Sequence, residues 1–173
     1  MQFVQPGRQA IALNRVMGAD PSVILGNLSA NGQVFLINPN GILFGPGAAV
    51  SVGGLVASTL NVSDAQAQAS QHGFAQGGMG AVDNQGDIRT ATGGYVALLG
   101  ASVSNDGKII ASQGSVALGA ANRISVPLGS TRPAPWIHTG ITGASGNASA
   151  SRATPFFSWA MVSDASPRVP SGN

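Results

Sequence analysis

Apolar residues along this chain fall into short runs separated by turn residues. The clearest stretch is residues 29–60, SANGQVFLINPNGILFGPGAAVSVGGLVASTL. Val34-Phe35-Leu36-Ile37 and Ile42-Leu43-Phe44 flank the tetrapeptide Asn38-Pro39-Asn40-Gly41. That tetrapeptide suits a type I β-turn: Asn at the first position, Pro presetting φ at the second, Asn then Gly following without steric cost. Gly45-Pro46-Gly47 turns the chain into Val50-Ser51-Val52, and Gly53-Gly54 turns it into Leu55-Val56-Ala57. Runs of three to five residues leave no room for a helix, so a coiling β chain is predicted. All four residues of Val34–Ile37 are apolar. Simple alternation would expose two of them, so this strand is predicted to be buried on both faces, with a hairpin or sheet covering the outer side.

A repeat further along gives the same picture. Val82-Asp83-Asn84-Gln85-Gly86-Asp87-Ile88 aligns with Val103-Ser104-Asn105-Asp106-Gly107-Lys108-Ile109, 21 residues on, and Gly94-Tyr95-Val96-Ala97-Leu98 aligns with Gly114-Ser115-Val116-Ala117-Leu118. A period near 20 suits one coil of a β-solenoid, holding about three short strands and their turns. Stacking then sets Asn84 over Asn105, as an amide ladder, and Gly86 over Gly107. Val82, Ile88, Val96, Leu98, Val103, Ile109, Val116 and Leu118 become the inward positions. Upstream, Phe3–Gln5 and Ala10–Asn14 read as two short strands, and Asp20-Pro21-Ser22 breaks the chain before Val23-Ile24-Leu25-Gly26. Ser63-Asp64-Ala65-Gln66 has capping-box spacing, and the Ala/Gln run ending at Gly73 predicts a short helix over about Asp64–Gln71, an excursion from the coil. Residues 74–80 read as a Gly-rich loop.

Two groups of residues carry a family resemblance: the run NGQVFLINPNGILFGPGAAVSVGGLVASTLNVSD, and Asn14-Arg15-Val16 upstream of it. From about Phe3 to Val126 the chain resembles the two-partner secretion (TPS) domain of filamentous-haemagglutinin-type exoproteins, the haemagglutination activity domain family, of which NPNG is the hallmark. The resemblance implies a right-handed parallel β-helix of the pectin-lyase-like kind. It also implies a secretion-targeting module of a secreted or surface adhesin, recognised by the periplasmic domains of an outer-membrane β-barrel transporter of a Gram-negative cell. Recognition is expected at Asn38, Pro39, Asn40, Gly41 and Ile42, together with Asn14, Arg15 and Val16. The plainer alternatives are that NPNG is simply a good turn and that Arg15 is a surface arginine. Other regions of such exoproteins act as adhesins, haemolysins or contact-dependent toxins, and receptors for host or bacterial surfaces would be engaged there.

Composition narrows the remaining classes. Charged residues make up 8% of the chain, which has 25 Gly, no Cys and a net charge of +2. Lacking Cys, the chain has neither disulfides nor thiolate zinc sites. The seven Arg are scattered rather than interleaved with aromatics, so nucleic-acid binding has no support. No cofactor is implied, and His72 and His138 have no metal-ligand companions at suitable spacing. A carbohydrate-active β-helix enzyme, a polysaccharide lyase or hydrolase, is the alternative function. It would need clustered carboxylates, for which Asp83, Asp87 and Asp106 are the nearest approach. In register, however, Asp87 faces Lys108 and Asp83 faces Ser104, so no acidic column forms. Residues 127–173 hold both Trp, much Ser, Ala and Thr, and no useful alternation. They are expected to be a disordered or degenerate tail following a partial β-helix domain at 1–126. No basic-then-apolar leader opens the chain, so a signal peptide is expected upstream of what is read as a fragment.

Overall fold

The structure, a computed structural model, describes residues 1–67, 72–75, 77–121 and 123–126 and, for the backbone, 148–150. Apart from one antiparallel pair, its strands fall into three parallel sheets that the chain visits in rotation. Sheet A holds β1 (Gln2–Phe3), β4 (Asn27–Ala30), β7 (Ala49–Val52), β11 (Asp87–Thr90) and β14 (Lys108–Ala111). Sheet B holds β2 (Ile11–Arg15), β5 (Gln33–Ile37), β8 (Gly54–Ser58), β12 (Tyr95–Gly100) and β15 (Ser115–Ala120). Sheet C holds β3 (Ser22–Ile24), β6 (Ile42–Phe44), β10 (Ala81–Asn84), β13 (Ser102–Asn105) and β17 (Ala148–Ala150). Each passage A, B, C is one coil, and every strand lies parallel to its counterpart one coil away. The fold is a parallel β-helix.

Two cores hold the coils. Leu28, Val34, Ile42, Phe44, Val50, Leu55, Val82, Ile88, Val96, Leu98 and Val103 fill the interior, and Ile109, Val116 and Leu118 pack against its far end. All eight predicted inward positions are therefore inside. The second core lies outside sheet B. Phe35, Ile37, Val56, Tyr95, Ala97 and Leu99 point outward from β5, β8 and β12 and are covered by Leu60, Val62, Ala67, Phe74 and Ile124. This is the outer cover that the unbroken Val34–Ile37 run demanded. Fully burying one such side chain is worth about 1.5–3 kcal/mol, so an uncovered face would be costly.

The cover differs from expectation in two places. The helix α1 spans Asp64–Ala67, with the Gln66 amide donating to Ser63 Oγ at 3.2 Å; residues 68–71 lie outside the described residues. Phe74 and Ala75, expected as loop, instead belong with His72 and Gly73 to strand β9 (His72–Ala75), paired antiparallel with β16 (Arg123–Val126) so that Phe74 partners Ile124. That partner is far away in sequence, and no local pattern reveals it. Of the tail, Ala148–Ala150 forms β17 on β13, so this short piece takes the sheet C place of the last coil. The rest of 127–173 lies outside the described residues.

Corners are set by small side chains and amides. Asn84 Nδ2 donates to Asn105 Oδ1 at 2.7 Å, and Asn84 Oδ1 accepts from the Gly86 amide at 3.2 Å, with both Asn residues buried. Asn84→Ala should lower stability by about 1–3 kcal/mol through the stranded partners, read as a lower urea midpoint with unchanged slope. At the A-to-B corner Gly32, Gly53, Gly94 and Gly114 stack, each with the space for its Cβ taken by a carbonyl of the previous coil.

Candidate functional site

Residues 16–21, 38–41 and the single residue 101 connect sheet B to sheet C at the same corner of the coil, and the longer excursion after β8 leaves from that corner at residue 59. The two segments singled out in the sequence therefore meet. Arg15 partners Ile37 in register, and the Val16 amide donates to the Ile37 carbonyl at 2.9 Å. Asn14-Arg15-Val16 thus lies one rung beneath the start of Asn38-Pro39-Asn40-Gly41.

Asn38 is the hub of that corner, with none of its surface exposed. Its Nδ2 donates to the Asp20 carbonyl at 3.0 Å and to Ser22 Oγ at 2.9 Å, both on the coil below. Its Oδ1 accepts from the Asn40 amide at 3.0 Å and from Asn40 Nδ2 at 3.2 Å. The Gly41 amide closes the turn onto the Asn38 carbonyl at 3.2 Å, while the Asn38 amide donates up to the Ser58 carbonyl at 3.0 Å. Gly41 has φ +124°, a backbone that side chains rarely adopt. Asn40 Nδ2 reaches down to the Gly18 carbonyl at 2.7 Å. From above, the Gly80 amide donates to the Pro39 carbonyl at 3.3 Å. Ile42 is buried in the inner core. NPNG is thus clamped between two coils, leaving only Asn40 exposed and Pro39 half-buried.

Arg15 is neither free nor purely decorative. Its Nη2 donates to the Val62 carbonyl at 2.5 Å and to Asp64 Oδ1 at 2.8 Å, tying β2 to the start of α1. With side chains 32% and 77% exposed, the ion pair contributes less than about 1 kcal/mol. The carbonyl contact places the excursion. Beside it a groove of about 310 Å³ is lined by Ile11, Leu13, Arg15, Asp64 and Ala67. Asn14, half-buried, donates to the Ala12 carbonyl at 3.3 Å. Sequence reasoning misses the Arg15–Val62 tie, although the outward apolar residues of β5 already imply that something must be anchored there.

The carboxylates behave as the register predicts: Asp83 pairs with Ser104 and Asp87 with Lys108. Ser104 Oγ donates to Asp106 Oδ2 at 3.3 Å, and Asp87 meets Arg89 at 3.5 Å. Among the described residues no three His, Cys, Asp or Glu side chains converge. Burial, then the charge of Asp106, holds the Asp83 carboxyl above its ordinary range. A raised folded-state value means that the ionised form is disfavoured on folding, a cost that appears as pH rises above the usual carboxylate range. Asp83→Asn should raise Tm at neutral pH, by no more than about 2 °C for so solvated a group. The gain should vanish below pH about 4, where both states are protonated.

Comparison with known proteins decides between the two readings. The family model described as "TPS secretion domain" matches residues 1–154. This chain belongs to the TPS secretion domain family. The match runs past Val126, where the motif resemblance ends, and takes in β17. Two heme/hemopexin-binding proteins of Haemophilus influenzae are similar: one is 40% identical over 74 residues, the other 34% identical over 120 residues, covering 43% and 63% of this chain. The chain spans only 8% and 13% of those proteins. The crystal structure of the HMW1 secretion domain from Haemophilus influenzae superposes with TM-score 0.73 at 35% identity, over 82% of this chain and 38% of that one. The family is one of secretion targeting, and membership implies recognition by an outer-membrane two-partner transporter. These findings favour the secretion reading over the carbohydrate-active enzyme.

Proposed function

We propose that this TPS domain addresses a longer exoprotein to its outer-membrane β-barrel transporter, and that the transporter reads the NPNG corner before it folds. The observation that carries the second half is burial. Asn38, Gly41 and Ile42 are inaccessible in the wound coil, so a partner meeting the folded domain finds little of the hallmark. A partner meeting the extended chain finds all of it, with exposed backbone available for strand addition. Winding then removes the segment from the transporter. Since each coil needs only its neighbour to bury its apolar residues, folding on the outer face favours outward movement. The product is an extracellular or surface-attached protein of a Gram-negative cell, and adhesion or ligand binding resides in the remainder of the exoprotein.

The test uses a complete exoprotein carrying this domain, co-expressed with its transporter. Asn40→Ala together with Gly41→Val should cut the amount exported about tenfold or more, by loss of both the recognition segment and the φ +124° turn. Arg15→Gln should leave export within about twofold, because its contacts hold the folded excursion rather than the unfolded segment. Unchanged export of the double variant would overturn the proposal.

A further inference from the structure

Among the described residues, all strand pairing but one joins neighbouring coils, so winding is local. One pair breaks the rule. β9 leaves the chain between β8 and β10, whereas β16 follows β15, and the two meet antiparallel across sheet B. Phe74, with no exposed surface, and Ile124, 1% exposed, fill the outer core together against Phe35, Ile37, Val56, Tyr95, Ala97 and Leu99. The seat for Ile124 is built from two coils at once. A Cβ on Gly119 of β15 would lie 3.0 Å from Ile124 Cδ1 and 3.4 Å from Leu99 Cδ2. Gly119 in turn partners Leu99 of β12 in the stack. Ile124 therefore has no place to go until β12 and β15 are side by side. The single-residue connection at Ala101 keeps the intervening coil from blocking the way.

We propose that β9 and β16 form a clasp that closes over sheet B only after β10 to β15 have wound, and that once closed it holds those coils against unwinding from the C-terminal end. A solenoid otherwise frays one rung at a time. With the clasp shut, peeling β15 from β12 also opens the contact between Phe74 and Ile124, so the last two coils come apart together with the cover. The inference concerns folding of the chain itself and stands whether or not the transporter reads NPNG.

Pulsed hydrogen exchange during refolding of the full chain tests the order. Amides of β5, β8 and β12 should become protected before those of β9 and β16. Protection of β9 and β16 at the same time or earlier would overturn the proposal. Native-state exchange of Ile124→Asp tests the hold. Amides of β14 and β15 should exchange about 100-fold faster or more, while those of β5 and β8 change less than about tenfold, and Ile124→Val should restore most of the protection. A uniform rise in every coil, including global unfolding of the variant, would show that the clasp is not a separate unit.

Discussion

Gly94→Val is expected to lower stability by more than about 3 kcal/mol, at or beyond the upper end for overpacked sites. A Cβ at this position would press on the Gly53 carbonyl, and would lie 2.8 Å from both the Ala91 carbonyl and Thr90 Cβ. None of these can swing aside. The Gly53 amide is itself bonded to the Gly32 carbonyl at 2.7 Å, and the Ser115 amide to the Gly94 carbonyl at 3.2 Å. Backbone is therefore stacked on backbone through the whole A-to-B corner. Neighbouring strands in a sheet stand about 4.8 Å apart, and a side chain between two rungs forces that spacing open along β11 and β12. The control is internal. A Cβ on Gly7 or Gly18 would meet nothing within 4 Å, so Gly18→Val should shift stability by less than about 0.5 kcal/mol. Urea denaturation of the parent chain and both variants measures the two effects. A Gly94→Val midpoint close to that of Gly18→Val would mean that the coil spacing is far softer than the contacts imply.

How much of this is legible in the sequence follows from the range of the forces involved. The inner core is, because Val82, Ile88, Val96 and Leu98 recur one coil later and a repeat is its own evidence of stacking. The Asn84–Asn105 ladder and the pairing of Asp87 with Lys108 follow from the same offset. The glycine ladder is only half visible. Gly94 over Gly114 falls inside the aligned repeat, whereas Gly32 and Gly53 belong to coils outside it. Strand β9 escapes for a different reason. His72–Ala75 carries no alternation of its own, and its partner β16 is two coils distant, so its structure is conferred by the outer core rather than by local propensity. For the candidate site, NPNG reads correctly as a turn, but the tetrapeptide says nothing of the Asp20 carbonyl and Ser22 hydroxyl that receive Asn38. Nor does the sequence choose between a surface and a recognition role for Arg15. Its tie to Val62 depends on where an excursion of the chain returns, which is a property of the wound coil.

That hidden partnership gives the second large effect. Asn38→Asp is nearly isosteric, retains an oxygen for the Asn40 amide, and should nevertheless cost about 2–4 kcal/mol at neutral pH. Two mechanisms add. The lost Nδ2 leaves the Asp20 carbonyl, 3.0 Å away, facing an oxygen instead of its donor, a penalty of about 1–3 kcal/mol for a stranded group, while the Ser22 hydroxyl at 2.9 Å turns its proton to the new oxygen. A carboxylate enclosed at a fully buried position and facing a carbonyl oxygen also loses hydration without gaining a counter-charge. Burial and the carbonyl favour the protonated acid, whereas the two Asn40 donors and the Ser22 hydroxyl favour the anion; at so enclosed a position burial is expected to dominate and to raise the folded-state pKa above the unfolded value of about 3.9. The sign follows directly. Below about pH 4 the acid is neutral in both states and can donate to the Asp20 carbonyl, so the deficit relative to the parent chain is smallest there. As pH rises the unfolded state releases its proton first, and the deficit grows until the folded carboxyl also ionises. Asn38→Ala lacks the titrating group, and its deficit should stay flat over the same range. Urea midpoints of the parent and both variants between about pH 3.5 and 7.5 separate the two contributions. A deficit for Asn38→Asp that does not change with pH would place residue 38 in contact with water, and would undo the claim that the NPNG turn is sealed between coils.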